Sequence, residues 1–211
     1  MSLNYTNQYI QSILSFLDYV TFNGKNELNV DLRGLDLTEP NNKILFNDAI
    51  MNYMKNEKEY NKMKASLDFF TDHFLIVNQN TAANYNGFSG TTYQLVNPIE
   101  DSKYEVGEFF VSYRGTEDSY GDYLTDLKLT FFDTLTNPIT SQEPVALDYL
   151  KNVLSISGNN KVNISGHSLG GYLAARSYYH LSLIELEKIG EVSTFNGAGS
   201  VSYTHLTLPT N

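Results

Sequence analysis

The chain has 211 residues, 41% of them apolar and 18% charged, the make-up of a soluble globular protein with one substantial core. Fourteen Lys and Arg against 24 Asp and Glu give a formal charge of −10, which opposes attraction to phosphate backbones or anionic lipid surfaces and argues against a nucleic-acid partner. Cysteine is absent, so disulfides, thiolate chemistry and Cys-based zinc sites are ruled out, and neither a metal nor a cofactor is expected. Residues 9–20 follow no basic segment, the first lysine being Lys25, and Gln11, Ser12, Ser15 and Asp18 interrupt their apolar run. Neither a signal peptide nor a membrane span fits that pattern, which leaves the cytoplasm as the default compartment. Ile10, Ile13, Leu14, Leu17 and Val20 recur at helical spacing and predict an amphipathic helix packed on the body of the protein. A polar, turn-rich stretch with breaks at Asn23-Gly24 and Arg33-Gly34 precedes a second helical region over about 42–64, so residues 1–80 read as a mostly helical extension. Beyond Thr81 the texture becomes aromatic and β-branched, and 87–96 and 104–113 predict strands paired through the Asn97-Pro98 turn region. Helices are expected at 121–129 and 145–154, a short buried strand at 161–165, a helix at 172–181 and a further strand at 191–196. This alternation predicts an α/β fold, with a β-α-β crossover in a mostly parallel sheet covered by helices.

Within that alternation, Val162-Asn163-Ile164-Ser165 runs into Gly166-His167-Ser168-Leu169-Gly170-Gly171, a short strand meeting a G-x-S-x-G turn and then a helix. Such a turn is a nucleophile elbow, with small residues where a sharp strand-to-helix bend needs them. A serine hydroxyl is a weak nucleophile and requires a histidine base, an acid to orient that base, and donors for the oxyanion that develops on the attacked carbonyl. The backbone N–H of Leu169, following Ser168 at the start of a helix, is one such donor. Tyr113-Arg114-Gly115-Thr116, at the end of a predicted strand, is the candidate source of the second, through Thr116.

Phe110-Val111-Ser112-Tyr113-Arg114-Gly115-Thr116, followed by Asp122-Tyr123-Leu124-Thr125-Asp126-Leu127, resembles the oxyanion-loop signature of class 3 lipases, and Gly166 to Gly171 resembles the elbow of that family. The chain is most similar to the bacterial, Mbeg1-like branch that carries a helical amino-terminal extension. The resemblance covers about residues 104–199. It implies an α/β-hydrolase fold, Ser168 as nucleophile, and an oxyanion hole formed by Thr116 and Leu169.

The other histidines fit the chemistry poorly. His167 neighbours Ser168, but adjacent residues on a sharp elbow point in different directions, which gives it a structural role. His180 lies ~18 Å along the helix from Ser168. His73 precedes the serine, against the Ser, acid, His order of these hydrolases. Arg114 is expected to brace its loop through an ion pair with a carboxylate such as Asp126. Glu191 falls near the start of its strand, whereas catalytic groups collect at carboxyl ends. His205 lies in Val201-Ser202-Tyr203-Thr204-His205-Leu206-Thr207-Leu208-Pro209-Thr210-Asn211, which resembles an in-frame translation of a transposase sequencing adaptor. The expectation is therefore three regions: a helical extension over 1–80, a partial α/β-hydrolase core over 81–199 that is incomplete at its C-terminus, and a non-native tail over 200–211. The triad acid and histidine are then missing from the chain, and the fragment is expected to be inactive. A natural strand of alternating Thr and Leu is the alternative reading of the tail.

The functional expectation is a lipase-like serine hydrolase of carboxylic esters, acting on a small ester or lipid through an acyl-enzyme on Ser168. The competing reading is a non-catalytic α/β-hydrolase-like interaction module in which the elbow survives as architecture. A serine peptidase on the same fold comes third, because the Arg114-Gly115-Thr116 loop resembles that of lipases.

Overall fold

The computed structural model describes residues 7–81, 87–115 and 139–195. In chain order its elements are α1 (Asn7–Leu17), α2 (Pro40–Met54), α3 (Glu57–His73), β1 (Phe74–Asn80), β2 (Gly90–Leu95), β3 (Phe109–Tyr113), α4 (Ile139–Ile156), β4 (Val162–His167), α5 (Leu169–Tyr179), α6 (Leu183–Leu186) and β5 (Ile189–Phe195). The strands form one mixed sheet in the order β1-β2-β3-β4-β5. Among the described residues, no helix is long and apolar enough to cross a membrane.

Two pairings, β1 with β2 and β2 with β3, are antiparallel, and two, β3 with β4 and β4 with β5, are parallel. This corrects the expected mostly parallel sheet. Antiparallel neighbours can be joined by a turn or loop on one end of the sheet, as residues 96–108 join β2 to β3, whereas parallel neighbours need a crossover such as α5 between β4 and β5. The predicted strand pair around Asn97-Pro98 and the β-α-β unit around Ser168 are both present.

Two further differences lie in the first 80 residues. The helical region placed at 42–64 is two helices. Lys55 takes a left-handed conformation at the end of α2, and the side chain of Asn56 accepts from the amides of Lys58 and Glu59 to start α3. Residues 74–80, Phe-Leu-Ile-Val-Asn-Gln-Asn, form the strand β1 within the stretch read as largely helical. The apolar run Phe74 to Val77, with β-branched Ile76 and Val77, suits a pleated surface packed against neighbours.

The sheet separates two apolar cores. On one side α1, α2 and α3 pack with Phe74, Ile76, Tyr93, Leu95 and Phe110, and the rings of Phe22, Phe46, Phe70 and Phe74 stack in series at centroid spacings of 5.7, 5.2 and 5.6 Å. On the other side α4 and α5 cover Val111, Tyr113, Val162, Ile164 and Val192. Each fully buried Leu, Ile, Val or Phe contributes roughly 1.5–3 kcal/mol.

The helix α1 buries Ile10, Ile13, Leu14 and Leu17, as its spacing predicts, but Gln11, Ser15 and Asp18 are buried as well. Beneath them the sheet presents a row of polar residues in register, Gln79, Thr91, Ser112, Ser165 and Ser193, all buried. Ser15 Oγ lies 3.1 Å from Ser165 Oγ, the Thr91 hydroxyl donates to Asp18, and Gln11 Nε2 donates to Tyr104 and Glu191. Two bonds, Ser15 to Ser165 and Thr91 to Asp18, join the two surfaces directly, whereas the buried Ser112 and Ser193 hydroxyls and Asp18 Oδ2 have no hydrogen-bond partner among the described residues.

Candidate active site

The strand β4 is flanked on both sides by parallel strands, β3 and β5, so its carboxyl end opens at the middle of the parallel half of the sheet. A single residue, Ser168, carries the chain from β4 into α5. Its backbone lies at φ 56° and ψ −121°, a conformation that costs an L-residue about 1–3 kcal/mol and persists only where the surroundings impose it.

The restraints on Ser168 are visible. Its amide donates to the Phe195 carbonyl at 2.9 Å, tying the turn to β5, and its carbonyl accepts from the Gly171 amide at 3.0 Å, opening α5. The flanking glycines are required by close approach. A Cβ on Gly166 would stand 2.3 Å from the Gly170 carbonyl, and one on Gly170 would stand 1.9 Å from the Tyr113 oxygen. The G-x-S-x-G spacing therefore lets α5 fold back tightly on β4 and β3. Ser168 is buried and occupies the N-cap of α5, yet its side chain makes no capping bond, the ordinary use of a serine there. A hydroxyl so placed stands at the positive end of the helix, where negative charge is favoured. Leu169 is the first residue of α5, and its amide is one of the first-turn donors that have no acceptor within the helix.

The second motif reaches the same place. Tyr113 pairs with Gly166 in register, the Arg114 amide donates to the Ser89 carbonyl at 3.0 Å, and Gly115 then passes over the elbow. A Cβ on Gly115 would lie 2.7 Å from the His167 carbonyl oxygen and 3.2 Å from the Ser168 Cβ. The structure thus brings Ser168, Leu169, Arg114 and Gly115 together. Thr116, Asp126, His205 and the 200–211 tail lie outside the described residues.

The three described histidines are engaged in separate places. His167, half-buried, has its Nδ1 3.2 Å from the Tyr19 hydroxyl with the two rings edge to face, and burial lowers its pKa, favouring the neutral ring. His180 closes the far end of α5 against the Tyr179 ring. His73 ends α3 with its Nδ1 3.3 Å from the Asn97 carbonyl, leading into the strand at the opposite edge from β5. Glu191 is near the start of β5, as expected. Burial would raise its pKa, but hydrogen bonds from Tyr104 at 2.6 Å, from Lys103 and from Gln11 outweigh that and hold the carboxyl below its usual range.

Two residues at the end of α1 belong to this neighbourhood and escape a reading of the sequence. Asp18 is wholly buried. Burial pushes its pKa well up, against the Thr91 hydrogen bond and the Arg114 charge, which both act to lower it. Tyr19 touches His167 and approaches Gly115, whose notional Cβ would be 2.9 Å from its hydroxyl. The only available signal was that Gln11, Ser15 and Asp18 share one helical stripe, which periodicity alone assigns to solvent. Among the described residues no group of His, Asp and Glu is arranged to hold a metal ion.

No curated protein and no solved structure matches the chain. A family model described as Mbeg1-like matches residues 51–205, which include the turn after β3, the elbow and β5. With well over half of its length matched, the chain belongs to the Mbeg1-like family.

Proposed function

We propose that the protein is a lipase-like serine hydrolase of carboxylic esters built on the α/β-hydrolase architecture, with Ser168 as nucleophile. The observation that carries this reading is the strained backbone of Ser168, held at a one-residue turn between a central parallel strand and a helix by glycines that admit no side chain. Strain of this kind is retained where geometry matters to chemistry.

In the proposed reaction Ser168 Oγ attacks the ester carbonyl and forms the new C–O bond while its proton passes to a histidine base. The oxyanion is held by the Leu169 amide and by Thr116. The ester C–O bond then breaks, the alcohol leaves with the proton from the base, and water hydrolyses the acyl-enzyme by the reverse sequence. None of His73, His167 and His180 is assigned as the base, because each is engaged elsewhere, and His205, in the adaptor-like segment, is not assigned either.

Fluorophosphonate labelling of the protein expressed from its complete gene tests the proposal. Labelling at Ser168, abolished in Ser168→Ala, is the expected result. Equal labelling of the alanine variant removes Ser168 from the chemistry. A folded but unlabelled parent supports the second reading, a non-catalytic interaction module.

A further inference from the structure

The carboxyl end of α1 is fixed more firmly than a helix terminus at a protein surface needs to be. The amides of Asp18, Tyr19 and Val20 continue the helical bonding to Leu14, Phe16 and Leu17. Gln79 from β1 then clasps the following chain, its Nε2 donating to the Val20 carbonyl at 2.7 Å and its Oε1 accepting from the Phe22 amide at 2.6 Å. The segment carrying Tyr19 is therefore anchored to the sheet from both directions. Its side chain extends to the carboxyl ends of β3 and β4, where the hydroxyl meets His167 Nδ1 at 3.2 Å and the Gly115 turn. Gly115 has no room for a side chain because the Tyr19 hydroxyl and the His167 carbonyl already occupy that space.

We propose that Tyr19 is a positioning residue of the site, its hydroxyl lying between His167 and Gly115 so that the Gly115 backbone is held against Ser168. The inference rests on the reading of Ser168 as a nucleophile with the Leu169 amide beside it as an oxyanion donor. It assigns to α1 a part in the site that lies outside the elbow and the loop themselves. A donor displaced by a fraction of an ångström stabilises the oxyanion less without altering how the ground-state substrate binds.

The test is Tyr19→Phe in the full protein, which keeps the ring and removes only the hydroxyl, beside Gln11→Met, which removes a different anchor of α1, the bonds to Tyr104 and Glu191. Tyr19→Phe is expected to slow fluorophosphonate labelling and lower kcat about tenfold with KM unchanged, while Gln11→Met leaves both near the parent values. In the nuclear magnetic resonance spectrum, the Gly115 amide and the His167 ring signals should shift in Tyr19→Phe while the distant Gly158 amide does not. Parent-like labelling and kcat in Tyr19→Phe, an equal loss in Gln11→Met, or unmoved Gly115 and His167 signals would each overturn the proposal. A folded parent that is not labelled at all refutes the hydrolase reading instead, and the resonance shifts still decide whether Tyr19 ties the turn to the elbow.

Discussion

Replacing Ser168 by glycine should make the protein more stable than replacing it by alanine. Both substitutions delete the hydroxyl and every contact it makes, so their difference reports chiefly the backbone, Cβ being the one side-chain atom that alanine keeps. At φ 56° and ψ −121° an alanine keeps the strain of about 1–3 kcal/mol that the serine bears, whereas glycine adopts the conformation freely. Glycine's larger freedom in the unfolded chain offsets about 0.5–1 kcal/mol of that relief. The net advantage of Ser168→Gly is then ~1.25 kcal/mol, or about 2.5–5 °C in Tm at the 2–4 °C per kcal/mol usual for chains of this length. Calorimetric melts of the two variants at one pH and protein concentration measure it. An alanine variant that melts at or above the glycine variant would show that the elbow is not strained and would remove the main support for reading it as a nucleophile's turn.

Gly170→Ala should cost more than ~3 kcal/mol, because a Cβ 1.9 Å from the Tyr113 oxygen forces α5 away from β3, while Gly158→Ala, with open space but φ of +60°, should cost only about 1 kcal/mol. Urea unfolding of the two variants distinguishes these values, and similar losses would refute the close-approach argument. Asp18 binds its proton more tightly folded than unfolded, so stability should fall as pH rises from the unfolded pKa near 4 through the raised folded value. Asp18→Asn should flatten that slope and stabilise the protein at pH 7, which urea titrations between pH 4.5 and 8 would show. A slope that survives the substitution assigns the pH dependence to another group.

The elbow could be read from the chain because its chemistry is local: two glycines at fixed offsets from a serine, after an apolar strand, leave few conformations open. The loop ending in Gly115 was legible for the same reason, and the structure adds what it packs against. Where the outcome depends on tertiary partners, the sequence was ambiguous. The polar stripe Gln11, Ser15 and Asp18 looks like a solvent face until the complementary row Thr91, Ser165 and Ser193 lies beneath it, drawn from three separate strands. Residues 74–80 carried a strand signal that the helical residues before them obscured. Asn56, with Glu59 three positions on, was a recognisable helix start whose meaning is lost if the apolar spacing is followed straight through.

The polar seat of α1 also dictates an order of assembly. Gln11 bonds to Glu191, a partner 180 positions later, and Ser15 bonds to Ser165. At translation speeds of 5–20 residues per second, roughly 10–35 s pass between the emergence of the helix and that of its last partner strand. The apolar side of the helix, Ile10, Ile13, Leu14 and Leu17, meets its core partners from α2, α3 and β1 to β3 earlier, but its polar bonds wait for β4 and β5, so the first helix to leave the ribosome completes its seat only when the last strand arrives.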